Sequence, residues 1–140
     1  MRHILFICLF FFFVACEENE SVDPTLMPEA TTIGANTFGC LVDGWVYVSG
    51  RWGLPVATYV QSGEDTSMKV SAQVDFGSYL SFTITNPKQG ETLPCTDVSF
   101  DNQTIGDGKV HITHMSDGIF SGTFEGDRIT KGRFDLKYKE

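Results

Sequence analysis

The chain of 140 residues predicts an all-β domain, an antiparallel β-sandwich or barrel-like fold of about eight or nine strands. Three observations carry this. Apolar and polar residues alternate with period two from Thr37 onward. Turn-forming pairs punctuate that alternation at near-regular spacing, and no stretch of ten residues shows helical spacing without a Gly or Pro. A half-buried strand needs the first and a meander of short strands needs the second.

Taken in order, Cys40-Leu41-Val42 and Trp45-Val46-Tyr47-Val48 flank Asp43-Gly44, a two-residue hairpin signal. Ser62-Gly63-Glu64-Asp65 marks the next turn. Val70, Ala72 and Val74 then alternate with Lys69, Ser71, Gln73 and Asp75, a strand with one buried face. Asp75-Phe76-Gly77-Ser78 reverses the chain into Leu80, Phe82 and Ile84, which alternate with Ser81, Thr83 and Thr85. Asn86-Pro87 ends that strand, and Asp107-Gly108 and Asp117-Gly118 mark later turns. In Ile119–Phe124, Phe120, Gly122 and Phe124 share a face, and Gly122 leaves room for an aromatic ring from the last strand. That last strand places Phe134, Leu136 and Tyr138 inward, with Asp135, Lys137 and Lys139 outward.

The amino terminus gives a different signal. Met1-Arg2-His3 precedes an unbroken apolar run, Ile4 to Val14, which ends at Ala15-Cys16. Eleven residues rise only about 16 Å as a helix, half of what a bilayer core requires. The run therefore reads as a signal peptide over 1–15 rather than a membrane span. Phe13-Val14-Ala15-Cys16 resembles a bacterial lipobox, which implies cleavage before Cys16 and lipidation of its thiol. Several acyl chains at about 0.8 kcal/mol per methylene would anchor the chain stably to a membrane. Glu17, Glu18 and Glu20 resemble the signal that exports Bacteroidetes lipoproteins to the cell surface. The expectation is an outer-membrane lipoprotein, surface-exposed or else facing the periplasm. Residues 16–36 carry Pro24, Pro28 and a Thr-rich stretch with few large apolar groups, and read as a flexible tether to one domain over 37–140.

Removing residues 1–15 takes away Arg2 and no acidic residue, leaving nine basic against eighteen acidic side chains. A balance this acidic repels phosphate backbones, so nucleic acid is excluded as a partner. Cys40 and Cys95 are the cysteines left once Cys16 is acylated. In an oxidising envelope they would form a disulfide, worth about 4 kcal/mol on the chain-entropy account; buried free thiols are the alternative.

Thr37-Phe38-Gly39-Cys40-Leu41-Val42-Asp43-Gly44, preceded by Pro28-Glu29-Ala30-Thr31, resembles the opening of a family of small Bacteroidetes lipoproteins of unknown function. Ile119-Phe120-Ser121-Gly122-Thr123-Phe124 with Ile129-Thr130-Lys131-Gly132-Arg133-Phe134-Asp135 is similar to that family's closing hairpin. The resemblance frames the whole domain. It implies a surface or periplasmic β-protein and brings no catalytic residues with it.

The residues themselves point to no enzyme. His111 and His114 stand three apart in a strand and so should face opposite ways, which cannot grip one ion. Asp101, Asn102 and Asp107 share a loop without the spacing of a calcium-binding loop. No Gly-x-Ser-x-Gly turn is present, and no pair of carboxylates stands out for glycoside hydrolysis. No metal or other cofactor is therefore expected. Aromatic residues give one lead, since Trp45, Tyr47, Trp52 and Tyr59 lie close together beside Arg51 and Gln61. Trp45 and Tyr47 share a strand face, which suits core or rim packing, whereas Trp52 in Gly50-Arg51-Trp52-Gly53 is the better placed for exposure. The expected function is a lipid-anchored, non-enzymatic binding or assembly module of the envelope. Its alternative is a carbohydrate-binding accessory using Trp52 with Trp45, Tyr47 and Arg51, and a small hydrolase is more distant. A glycan or a surface protein would be the partner.

Overall fold

The computed structural model describes residues 27–139, so the leader and Cys16 lie outside the described residues. Ten strands follow in order: β1 Thr37–Val42, β2 Trp45–Val48, β3 Val56–Ser62, β4 Asp65–Asp75, β5 Ser78–Thr85, β6 Thr92–Phe100, β7 Gln103–Thr104, β8 Gly108–Ser116, β9 Ile119–Gly126 and β10 Ile129–Lys139. The all-β expectation holds, and the barrel is the form taken. Seven strands close on themselves in the order β10-β3-β4-β5-β6-β8-β9, with β9 pairing back onto β10. All pairings are antiparallel except the short parallel contact of β10 with β3, Tyr138 opposite Ala57 and Lys139 opposite Thr58. The β1–β2 hairpin adds to the first half of β10, and β7 lies beside the end of β6.

Local chemistry explains the strands. Asp43 and Gly44 take φ of 53° and 85°, and Asp117 and Gly118 take 55° and 75°. Two consecutive left-handed residues make the tight reversal that matches strand twist, and Asp and Gly tolerate it best. Arg128 in the β9–β10 turn pairs in bidentate fashion with Asp43, tying the β1–β2 turn to the barrel.

The interior is filled rather than hollow. Phe38, Phe82, Phe120, Phe124 and Phe134 are buried and meet ring to ring, Phe82 to Phe124 at 5.0 Å and Phe120 to Phe134 at 5.0 Å. Val70, Ala72 and Val74 of β4 and Leu80, Phe82 and Ile84 of β5 line the same core, as their alternation requires. Gly122 faces Phe134 across the β9–β10 pair. A methyl group there would lie 3.0 Å from the Phe134 ring and 2.4 Å from the His111 carbonyl oxygen. A seven-stranded barrel has just enough width to be packed by its own side chains, so ligands must be met outside it.

Candidate functional site

Two loops meet at one end of the barrel. The β2–β3 loop carries Arg51 and Trp52 between Gly50 and Gly53, whose φ values of 113° and 151° suit glycine. The Gly50 amide donates to the Gly53 carbonyl at 3.1 Å and holds the loop closed. In the β4–β5 turn, Phe76 follows Asp75, whose carboxylate accepts from the Phe76 amide at 2.7 Å. A two-residue turn gives its side chain no interior to enter, and Phe76 is 77% exposed. The Phe76 ring stands edge-on to Trp52 at 5.4 Å, and the Arg51 guanidinium lies 5.4 Å over the Trp52 ring. Tyr79, half exposed, donates through its hydroxyl to Gln73 Oε1 at 3.2 Å.

The structure brings together three of the four residues expected to bind a ligand. Tyr47, Arg51 and Trp52 line a cavity of about 220 Å³ with Val74 and Asp75, between β2 and the end of β4. Trp45 does not line it. Trp52 is exposed as expected, at 41%, but Trp45, expected to pack, is more exposed still, at 73%. The reason is that β2 pairs with β1 alone and is four residues long, so Trp45 at its first position has no second neighbour to cover it. Tyr47 does pack as expected, edge-on to Phe100 at 5.0 Å. Sequence reasoning missed Phe76 and Tyr79; the available signal was an aromatic ring inside an Asp-x-Gly-Ser turn. Exposed rings beside a guanidinium, an amide and a carboxylate can stack on an apolar face and hydrogen-bond its polar edge.

The remaining expected residues lie elsewhere. Cys40 and Cys95 are free buried thiols, so the bridge between them is not formed. They sit on β1 and β6, strands that do not pair with each other. Burial pushes the Cys40 thiol up to about 12. Cys95 is raised to about 11, chiefly by burial. Both are therefore poor nucleophiles. His111 and His114 do not face opposite ways. The β8–β9 register shifts between Ile112 and His114, so Thr113 is an extra residue. Met115 takes the inward place, and His114 joins His111 on the outer row. Each imidazole has its own partner: Nδ1 of His111 lies 2.9 Å from the Thr92 hydroxyl, and Nε2 of His114 lies 3.1 Å from that of Ser116. Among the described residues, no three His, Cys, Asp or Glu side chains are grouped to hold a metal.

One buried group was invisible to alternation. Asp135 occupies an outward position of β10 yet is fully buried, because residues 31–35 lie over it as a strap. Its carboxylate accepts from the Thr31 hydroxyl at 2.6 Å and the Ser121 hydroxyl at 2.7 Å. It also accepts from the amides of Ile33, Gly34 and Ala35 at 3.0, 2.8 and 3.0 Å. Burial alone would raise its pKa, but the donors of Thr31, Ser121, Ala35 and Gly34 outweigh it and hold the group at about 2. Ser121, Asp135 and His114 superficially resemble a hydrolytic triad. Ser121 donates straight to the carboxylate and is itself buried, so no imidazole stands ready to take its proton. Comparison with protein-family models, with curated proteins and with solved structures finds no match to this chain.

Proposed function

We propose that this chain is a lipid-anchored module of the cell envelope that binds its ligand at the aromatic rim and performs no catalysis. The observation that carries the binding half is the contrast between a barrel filled by its own phenyl rings and a rim where Trp52, Phe76 and Tyr79 stay exposed together. Leaving such rings in water is costly unless something covers them. The anchor half is supported by the Phe13-Val14-Ala15-Cys16 segment, and surface display by Glu17, Glu18 and Glu20 after it.

Carbohydrate is the ligand class favoured, since Arg51, Gln73 and Asp75 set hydrogen-bonding groups beside the rings. Stacking contributes on the order of 1 kcal/mol per ring. A glycan array probed with the purified protein should show weak binding, lost in Trp52→Ala and reduced in Phe76→Ala. Binding unchanged in both variants would remove the rim as the site. Labelling with a fatty acid should mark the wild type and not Cys16→Ser; labelling of the serine variant would remove the anchor.

A further inference from the structure

The outer wall of the barrel holds a second feature, built by register alone. Lys109 of β8 stands opposite Glu125 of β9, and one row further His111 stands opposite Thr123, which stands opposite Arg133 of β10. Lys131 completes the set from an unusual position. Between Thr130 and Arg133, β10 has one more residue than its partner β1, and Lys131 takes a φ of 52° in that bulge. A left-handed lysine is strained, and bulges re-aim side chains. Lys109, His111, Lys131 and Arg133 together line a groove of about 490 Å³, with Ala30, just before the strap, also lining it.

Charge singles out this groove. Eighteen acidic residues stand against ten basic ones in the chain, yet here three cations meet one carboxylate. Glu125 is taken up by Lys109 at 3.1 Å. Among the described residues no carboxylate lies within ion-pair reach of Lys131 or Arg133. Arg133 donates one hydrogen bond to the Pro28 carbonyl at 3.3 Å, which fixes its guanidinium beside the groove. Thr123 lies on β9, between the strands that carry the cations, and Thr92 on β6, at the far side of β8, orients the His111 ring.

The geometry points to a binding groove for an acidic oligosaccharide, one bearing carboxylate or sulfate groups. Adjacent strands lie about 4.8 Å apart, so β8 and β10, which carry the cations, are about 10 Å apart and the groove spans both. A chain with anionic groups at intervals can meet the cations of both strands at once. Sugar hydroxyls between those groups would meet Thr123. A nucleic acid carries charge too densely for a chain this acidic. The site is separate from the aromatic rim and does not depend on it.

The test is titration of the purified full-length chain with oligogalacturonate, with a dextran sulfate fragment and with neutral dextran, at low and at physiological salt. At least one acidic sugar should bind more tightly than neutral dextran, and that affinity should fall as salt screens the exposed cations. The double variant Lys109→Gln/Lys131→Gln should lose about tenfold in affinity. Lys131→Arg and Lys88→Gln should each bind as the wild type does. Preference for one acidic probe names the anionic group. The proposal is overturned if neither acidic sugar binds or if neutral dextran binds equally. It also fails if the double variant is unchanged, or if an oligothymidylate binds as tightly as the better sugar.

Discussion

The outer wall formed by β8, β9 and β10 has two ends that began alike and finished differently. Both are outward positions of the same three strands, occupied by polar residues. At one end Ser121 and Asp135 lie beneath the strap of residues 31–35, with every carboxylate oxygen hydrogen-bonded. At the other, Lys109, Lys131 and Arg133 stand open around a groove. The difference is not in the strands but in what crosses them. A covered polar row becomes part of the fold, because desolvated groups must be satisfied within the protein. An uncovered one is free to satisfy something else.

The covered end should therefore dominate stability. Asp135→Ala removes the acceptor shared by five donors and should cost about 3 kcal/mol, partly offset as the strap lifts and its amides rehydrate. Urea unfolding measures this, and a loss below about 1 kcal/mol would erase the distinction between the two ends. Acid should reach the same contact. A carboxyl held at about 2 when folded, against 3.8 in the unfolded chain, gives stability that is fully present above pH 4 and disappears as pH falls toward 2. The size is roughly 2 kcal/mol. A urea midpoint followed from pH 5 to pH 2 should fall more steeply in the wild type than in Asp135→Asn.

Changes at the open end should be small and of either sign. Lys131→Gly relieves a left-handed backbone and should stabilise by up to about 1 kcal/mol while weakening any bound anion. A gain in melting temperature with no loss of acidic-sugar binding would separate the strain from the site. Lys109→Gln breaks an exposed pair with Glu125 and should move stability by less than about 0.5 kcal/mol.

The fold was legible where one strand decided its own burial. Leu80, Phe82 and Ile84 face the core because alternation and turn chemistry leave no other choice. The misses share one cause, namely that a distant neighbour decided. Asp135 reads as solvent-facing until a strap one hundred residues earlier in the chain covers it. Trp45 reads as packed until β2 proves to be an edge strand. The two histidines read as divided until the extra residue in β8 turns them the same way. The aromatic rim was half legible: Trp52, Arg51 and Tyr47 lie in one segment, while Phe76 arrives from a turn that only the closed barrel brings near. The cationic groove lies on alternate positions of β8, β9 and β10, and was hidden because register between strands cannot be read along one of them.

The strap also decides where a force on the chain enters the domain. A pull on the chain upstream of Met27 arrives first at the Arg133–Pro28 hydrogen bond and then at those that tie residues 31–35 to Asp135, before it can reach Thr37. Those bonds load β10, the strand that β9, β1 and β3 all grip, rather than peeling the edge strand β2 from its single partner. The point at which such a pull enters the barrel thus lies on its wall, next to the basic groove.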